Sequence, residues 1–266
     1  MPSFIVPNDD DPTDTAILAT SVGEALRAVS TSEQSSAVAA YSENPTSSGS
    51  AMYGVAKGVG PALQGIQKSP DGNGAGVYAE CWNNGHGVHA VQANSDSTGA
   101  ALYAEHRGAN KFAGFFHGNV FVTGDISFQG LDCAEEFAIV DDAGVEPGMV
   151  MIMGDNGLLE PSASAYDSKV IGVVAGAGSY RPGIVLGKNQ HGTKPCQAIA
   201  LVGRAFCQAD ATPAPIKVGD LLTSSTIPGH AMKSRDRARS FGAVIGKALA
   251  PLERGHGIVP ILISPQ

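Results

Sequence analysis

The chain reads as an all-β protein built in two parts. The first is a repetitive β-helical shaft of intertwined chains, and the second is a β-barrel or sandwich. Three observations carry this reading. A unit of one bulky apolar residue, one free residue and one alanine or glycine recurs eight times before residue 119. Glycine supplies 34 of the 266 residues, while charged residues make up 16% and aromatics 6%, a balance typical of turn-rich β structure rather than of helices. Beyond residue 131 the repeat stops, and short Val, Ile and Leu runs bounded by Gly or Pro take over.

The N-terminal stretch, residues 1–22, reads as an attachment arm. Asn8-Asp9-Asp10-Asp11-Pro12 is polar and irregular, and Thr13 to Arg27 has the capping residues and apolar content of one short helix. The shaft occupies residues 23–130. Its bulky positions are Leu26, Val38, Met52, Leu63, Val77, Val88, Leu102 and Phe116, each followed two residues later by Ala28, Ala40, Gly54, Gly65, Ala79, Ala90, Ala104 or Gly118. A period of two places both marked residues on one face of a strand. Val38, Leu63 and Val88 are spaced 25 and 25, as are Met52, Val77 and Leu102, so the true repeat holds two strands and two turns. Turns such as Ser69-Pro70-Asp71-Gly72-Asn73-Gly74 separate them. The run Gly118 to Ile126 closes the shaft as an alternating strand.

A strand with one apolar face cannot bury it alone. One chain can coil into a solenoid, or three chains can wind together with their stripes meeting on a threefold axis. The second fits a unit whose second marked residue is Ala or Gly, because three chains converging on an axis need small residues to approach. The expected partner is therefore the chain itself, as a homotrimer. A monomeric β-solenoid surface adhesin is the alternative.

The C-terminal part, residues 131–266, has strand candidates at Glu136–Val140, Met149–Met153, Val170–Val174, Ile184–Leu186, Ala198–Cys207, Leu221–Thr223, Ala243–Leu249 and Val259–Ile263. Two stretches echo one another. Gly148-Met149-Val150 resembles Gly219-Asp220-Leu221, and Val170-Ile171-Gly172 matches Val244-Ile245-Gly246, which suggests two related halves of one barrel.

Charge narrows the function classes. The net charge is −8; residues 1–130 hold 5 Lys+Arg against 12 Asp+Glu, and residues 131–266 hold 12 against 13. An acidic shaft is a poor match for phosphate, so nucleic acid is not an expected partner. No apolar run reaches the ~18–20 residues a membrane helix needs, so no membrane insertion is expected. Met1 to Asp14 lacks the basic and apolar regions of a secretory signal, which implies assembly in the cytoplasm and a site of action on a virion or other extracellular particle.

The end of the shaft and the segment after it carry a resemblance. Gly76-Val77-Tyr78-Ala79-Glu80, Gly87-Val88-His89-Ala90-Val91 and Ala101-Leu102-Tyr103-Ala104-Glu105, then Phe112 through Gly124, resemble the shafts of bacteriophage tail fibres and appendages. Asp132-Cys133-Ala134-Glu135-Glu136-Phe137 resembles the start of the intramolecular chaperone domain of phage neck-appendage proteins, the G2 autoproteolytic peptidase family. The resemblance implies a structural fibre or spike protein of a phage or phage-like injection device. Its arm would meet a baseplate or neck protein. Its C-terminal domain would trimerise the chain, act as its chaperone or touch a cell-surface glycan or protein. The resemblance also implies single-turnover self-cleavage between Leu131 and Asp132, with Asp132 and Glu135 as the catalytic pair, although Leu131 departs from the small residue expected before the cut. Two carboxylates can divide acid and base roles when their surroundings separate their pKa values.

The remaining candidates read as structural. His86 and His89 lie on the shaft, with His89 at the free position, and read as surface histidines rather than metal ligands. Lys233-Ser234-Arg235-Asp236-Arg237-Ala238-Arg239, the basic cluster, reads as a solvated turn. Cys81, Cys133, Cys196 and Cys207 have no metal-site spacing, and Cys196 and Cys207 could face each other across a hairpin. No nucleophile elbow or phosphate loop is present, and no cofactor or metal site is expected.

Overall fold

The computed structural model describes residues 27–31, 36–42, 48, 50–69, 74–108, 112–141, 144–188 and 190–264. The expected arm and its short helix lie outside the described residues, save Arg27. The chain divides into two compact units, Met1–Phe115 and Phe116–Gln266. The second unit thus begins ahead of the 130/131 boundary read from composition.

In the first unit the described residues form no strand, and neither does the Gly118–Ile126 run at the start of the second. The repeat nevertheless has a physical role within one chain. A side chain at Gly65 would overlap the Gly76 carbonyl and the Val77 side chain, and one at Gly54 would crowd Leu63. At these two positions the small residue admits the bulky residue of the next unit. The small residues there act between successive units of one chain, in addition to any role they have between chains.

Among its described residues the second unit is all-β apart from one helical turn. Its strands are β1 (Asp132–Ala138), β2 (Val150–Met153), β3 (Leu159–Pro161), β4 (Val170–Val174), β5 (Pro182–Leu186), β6 (Cys196–Asp210), β7 (Leu221–Ser224), β8 (Ala231–Lys233), β9 (Val244–Ala248) and β10 (His256–Ile263), with α1 (Arg237–Ser240) between β8 and β9. The sheet runs β10-β9-β7-β8-β6-β4-β2-β3, and β10 also pairs with β6. That last pairing closes β6, β8, β7, β9 and β10 into a ring, so these five strands form a barrel without a free edge among them.

β6 is the spine. Its 15 residues pair with β1 along the first half and with β10 along the second. Gly203, at φ +108°, marks the changeover. β1 lies between β6 and β5, antiparallel to the first and parallel to the second. The main core fills the barrel with Val150, Ala205, Cys207, Leu222, Ile245, Val259 and Ile261, all nearly or fully buried. A smaller cluster of Ile139, Met151, Leu159, Val174 and Ile199 packs Phe137 and Met149 against it. Burying such side chains contributes about 1.5–3 kcal/mol each.

The two echoing stretches are structurally related. β2 pairs antiparallel with β4, and β7 pairs antiparallel with β9. Cys196 and Cys207, by contrast, do not sit across a hairpin. Both lie on β6, eleven residues apart at about 3.3 Å each, far beyond the ~7 Å between Cα atoms that a disulfide can span. All four cysteines are free.

Candidate functional site

The junction at residue 131 is the best-built feature near the site expected from the sequence. Asp132 opens β1 and pairs with Pro182 on one side and Gly203 on the other. The Leu131 N–H donates to the Arg181 carbonyl at 3.0 Å, and the Leu131 carbonyl accepts from the Arg204 N–H at 3.0 Å. The peptide bond between Leu131 and Asp132 is thus gripped from both flanking segments. The grip needs bare backbone. A side chain on Gly203 would overlap the Leu131 carbonyl, and one on Gly130 would overlap the Pro182–Gly183 peptide.

The Asp132 side chain is 7% exposed, and its Oδ1 has no hydrogen-bond partner. Burial raises its pKa above the ordinary carboxylate value, against the opposing effect of hydrogen bonds from its own N–H and that of Gly183. Glu135 does not join it. The register skips along this ladder fall on β5 and β6, so β1 keeps its alternation. Asp132 shares a face with Ala134, which is fully buried; Glu135 shares the other with Cys133 and Phe137. Within one chain the two carboxylates point to opposite sides of the sheet.

The other sequence candidates have assigned surroundings. His86 and His89 have ring centres 5.8 Å apart on the shaft, and both are exposed. The basic cluster is exposed from Arg235 to Arg239, and several of its side chains also bond to the fold. Lys233 pairs with Asp220 at 2.8 Å. Arg235 reaches the Pro213 carbonyl at 3.3 Å, and Arg239 reaches the Ala165 carbonyl at 2.9 Å. Arg239 also lies over the Tyr166 ring at 4.5 Å, and the Tyr166 hydroxyl accepts from the Arg235 and Asp236 N–H groups at 2.9 and 3.0 Å. Asp236 caps α1 by accepting from the Ala238 and Arg239 N–H groups. Tyr166, at φ 61°, is the described non-glycine residue with positive φ, and these contacts hold it there.

Sequence reasoning missed a polar centre at one end of the barrel. Asp210, 2% exposed, accepts from Ser225 Oγ at 2.9 Å and from the Thr212 N–H at 2.8 Å, and lies 3.4 Å from His256 Nε2. Burial, the largest single influence, pushes its carboxyl upward, but these hydrogen bonds and His256 together hold it below the ordinary value. No spacing rule links these residues; the closure of β6 on β8 and β10 brings them together.

The shaft presents a different kind of surface. Val38, Met52, Leu63, Val77, Val88, Leu102 and Phe116 are all exposed, Val77 at 75% and Leu102 at 70%. Among the described residues 27–130 other than Ser30, the backbone–backbone hydrogen bond present is that from the Ser97 N–H to the Asn94 carbonyl. No helix among the described residues is long and apolar enough to cross a membrane.

No family model matches the chain, and no curated protein matches it. Among solved structures it is similar to the pre-mature gene product 12 of bacteriophage phi29, with 15% identity and a TM-score of 0.40, over 55% of this chain and 23% of that one. It is also similar to the C-terminal fragment of that gene product, with 15% identity and a TM-score of 0.33, over 50% of this chain and 100% of the fragment. A third similar structure is the N base of the head fiber gp8.5 of bacteriophage phi29, with 16% identity and a TM-score of 0.26, over 50% of this chain and 89% of that one. The chain spans less than a quarter of the length of the pre-mature gene product 12 structure.

Proposed function

We propose that this chain is a structural fibre or spike protein of a phage or phage-like particle, working as a homotrimer. The arm attaches to a baseplate or neck protein, the shaft spans, and the C-terminal domain registers the three chains or contacts a target. The observation that supports this is the state of the shaft. Its repeated bulky residues are exposed, and, Ser30 aside, its described backbone carries one internal backbone–backbone hydrogen bond. Backbone N–H and C=O groups are obligatory hydrogen-bonding groups, and a regular apolar stripe this long needs a cover. Two further copies supply both at once. A monomeric solenoid would pair its own successive turns, which the same observation disfavours. Light scattering on the full chain tests the reading: three times the 27.1 kDa chain mass is expected, and a stable monomer overturns it.

A second reading, self-cleavage at Leu131–Asp132, has its own support in the buried, unpaired Oδ1 of Asp132 beside the gripped peptide bond. A water would add its hydroxyl to the Leu131 carbonyl carbon while its proton passes to solvent, the C–N bond would break, and the protonated Asp132 carboxyl would give its proton to the departing nitrogen. Because Glu135 faces the other way within the chain, it would serve only from a neighbouring copy. Intact mass after prolonged incubation tests this. The reading expects two fragments, the second beginning at Asp132, and an uncut Asp132→Asn variant. An intact wild-type chain retires it.

A further inference from the structure

The barrel end that holds Asp210 also holds two histidines whose arrangement suits a metal ion. His256 opens β10 and pairs directly with Asp210 at the end of β6. His230 ends the turn before β8, and β8 pairs with β6 at Ala209 and Asp210. The two rings therefore come from the segments on either side of β6. Their centres are 5.3 Å apart and their planes are tilted by 55°. Two imidazoles bound to one tetrahedral ion, with metal–nitrogen distances of about 2.0–2.1 Å, place their ring centres about 5 Å apart.

Each ring already has one nitrogen engaged by an oxygen. His230 Nδ1 lies 2.8 Å from the Pro228 carbonyl, so it carries the proton and donates. His256 Nε2 lies 3.4 Å from Asp210 Oδ1, an ion-pair contact that favours the tautomer with its proton on Nε2. In both rings the other nitrogen is left with a free lone pair. A backbone carbonyl behind one ligand and a carboxylate behind the other is the supporting arrangement that orients metal-binding histidines and raises their basicity. The supports are themselves fixed. Asp210 is held by Ser225 and Thr212, and the turn carrying His230 is held by the Ser225 N–H to the His230 carbonyl at 2.8 Å and the His230 N–H to the Ile227 carbonyl at 3.1 Å. The His86 and His89 pair on the shaft shows no such supports among the described hydrogen bonds.

We propose that His230 and His256 bind one divalent transition ion of the zinc, nickel or cobalt type, with Asp210 and the Pro228 carbonyl as orienting partners rather than ligands. Imidazole nitrogens favour such ions. Among the described residues no third His, Cys, Asp or Glu converges as a ligand, so water completes the coordination. The ion would bridge the turn before β8 to the head of β10 across β6, pinning the end of the barrel.

Titration calorimetry of the metal-free full chain with Ni²⁺ alone and Zn²⁺ alone tests this, with Co²⁺ absorption as the spectroscopic readout. One ion per chain is expected at this site. His230→Ala and His256→Ala should each abolish it, Asp210→Asn should weaken it by about 10–100-fold, and the His86→Ala/His89→Ala variant should retain it. Thermal melts without metal establish that the two single-histidine variants remain folded, since His256 is half exposed and His230 sits in a turn. If His230→Ala and His256→Ala bind Ni²⁺, Zn²⁺ and Co²⁺ as the wild type does, the proposal fails.

Discussion

Gly172 and Gly246 occupy the same station in two copies of one strand motif. Gly172 pairs with Met151 across β2–β4, and Gly246 pairs with Leu222 across β7–β9; in both ladders the register shifts at the next residue. Each copy opens with a glycine at nearly the same dihedral, Gly148 at φ +86° and Gly219 at φ +89°. Gly148 donates its N–H to the Val174 carbonyl at 2.7 Å, and Gly219 donates to the Ala248 carbonyl at 2.9 Å, each two residues beyond its central glycine. A side chain at Gly172 would overlap the Ala200 carbonyl on β6, and one at Gly246 would overlap the Leu262 carbonyl on β10.

Gly172→Ala and Gly246→Ala should therefore destabilise the C-terminal unit by similar amounts, about 1–3 kcal/mol each, because neither neighbour is a flexible side chain that can move aside. Urea unfolding of each variant checks this. An unchanged midpoint for either would show that the ladder has slack there.

The duplication also shows how much of the fold is legible in the sequence. The Val-Ile-Gly and Gly-x-apolar echoes point to two related halves, and Val170–Val174 is readable because its Val and Ile residues begin after Lys169 and give way to Ala175-Gly176. β3 and β8, three residues each, leave no periodicity to detect. β6 is readable over Ala198–Cys207 but extends to Asp210, because its ends are held by β1, β8 and β10 rather than by its own composition. In the shaft the repeat is plain, yet the single chain forms no strands among the described residues; a pattern of faces says what must be covered, not what covers it. At the candidate site a run of four residues is enough to single out Asp132. Its burial against Gly183 and Gly203, 51 and 71 residues further along the chain, cannot be read from spacing. Those glycines reach it only through the pairing of β1 with β5 and β6.

The buried carboxyl of Asp132 makes a prediction with a definite sign. Its pKa is raised in the folded chain above the ordinary value of 3.8. Its contribution to stability is therefore full below pH 3.8 and is lost as the pH rises through the folded value. Asp132→Asn should raise the thermal midpoint at about pH 7 and change it little at about pH 3. Calorimetry at the two pH values checks this; a variant that loses stability at the higher pH would mean that the ionised carboxylate is needed.

Asp210 and Asp220 act in the opposite direction. Burial is the largest influence on each and raises it, but the hydrogen bonds from Thr212 and Ser225 at Asp210, and from Lys233 and Lys217 at Asp220, outweigh it and hold both below 3.8. Their stabilisation is present above pH 3.8 and is lost as the pH falls through the folded values. Asp220→Asn should lower the midpoint at about pH 7 and leave it nearly unchanged at about pH 2, as read by circular dichroism melts. An equal loss at both pH values would point to packing rather than charge.

The Tyr166 hydroxyl accepts two backbone N–H groups, and its ring carries the Arg239 guanidinium. Tyr166→Phe should cost about 0.5–1.5 kcal/mol, since both exposed donors exchange the hydroxyl for water. Arg239→Ala should cost about 0.5–1 kcal/mol from the ring contact. Chemical denaturation of the two variants separates these amounts, and a Tyr166→Phe variant as stable as the wild type would sink the proposed role of the hydroxyl.

Cys207 is fully buried, and burial pushes its thiol up to about 12. It should resist iodoacetamide at about pH 8 in the folded chain and react only on unfolding. Peptide mapping by mass spectrometry after timed alkylation checks this, with labelling of Cys207 under native conditions as the contrary result.

The position of β1 has a mechanical consequence. Every residue of β1, from Asp132 to Ala138, is paired with β6, and Asp132 to Glu135 are paired with β5 as well. Any tension passed down the polypeptide to Leu131 enters this strand at its first residue. It must then be borne by two ladders side by side, one of them anchored in the closed ring through β6. A tug on the chain is thereby distributed over many hydrogen bonds before any of the barrel core is disturbed, which makes β1 the strand that takes the strain for the segment ahead of it.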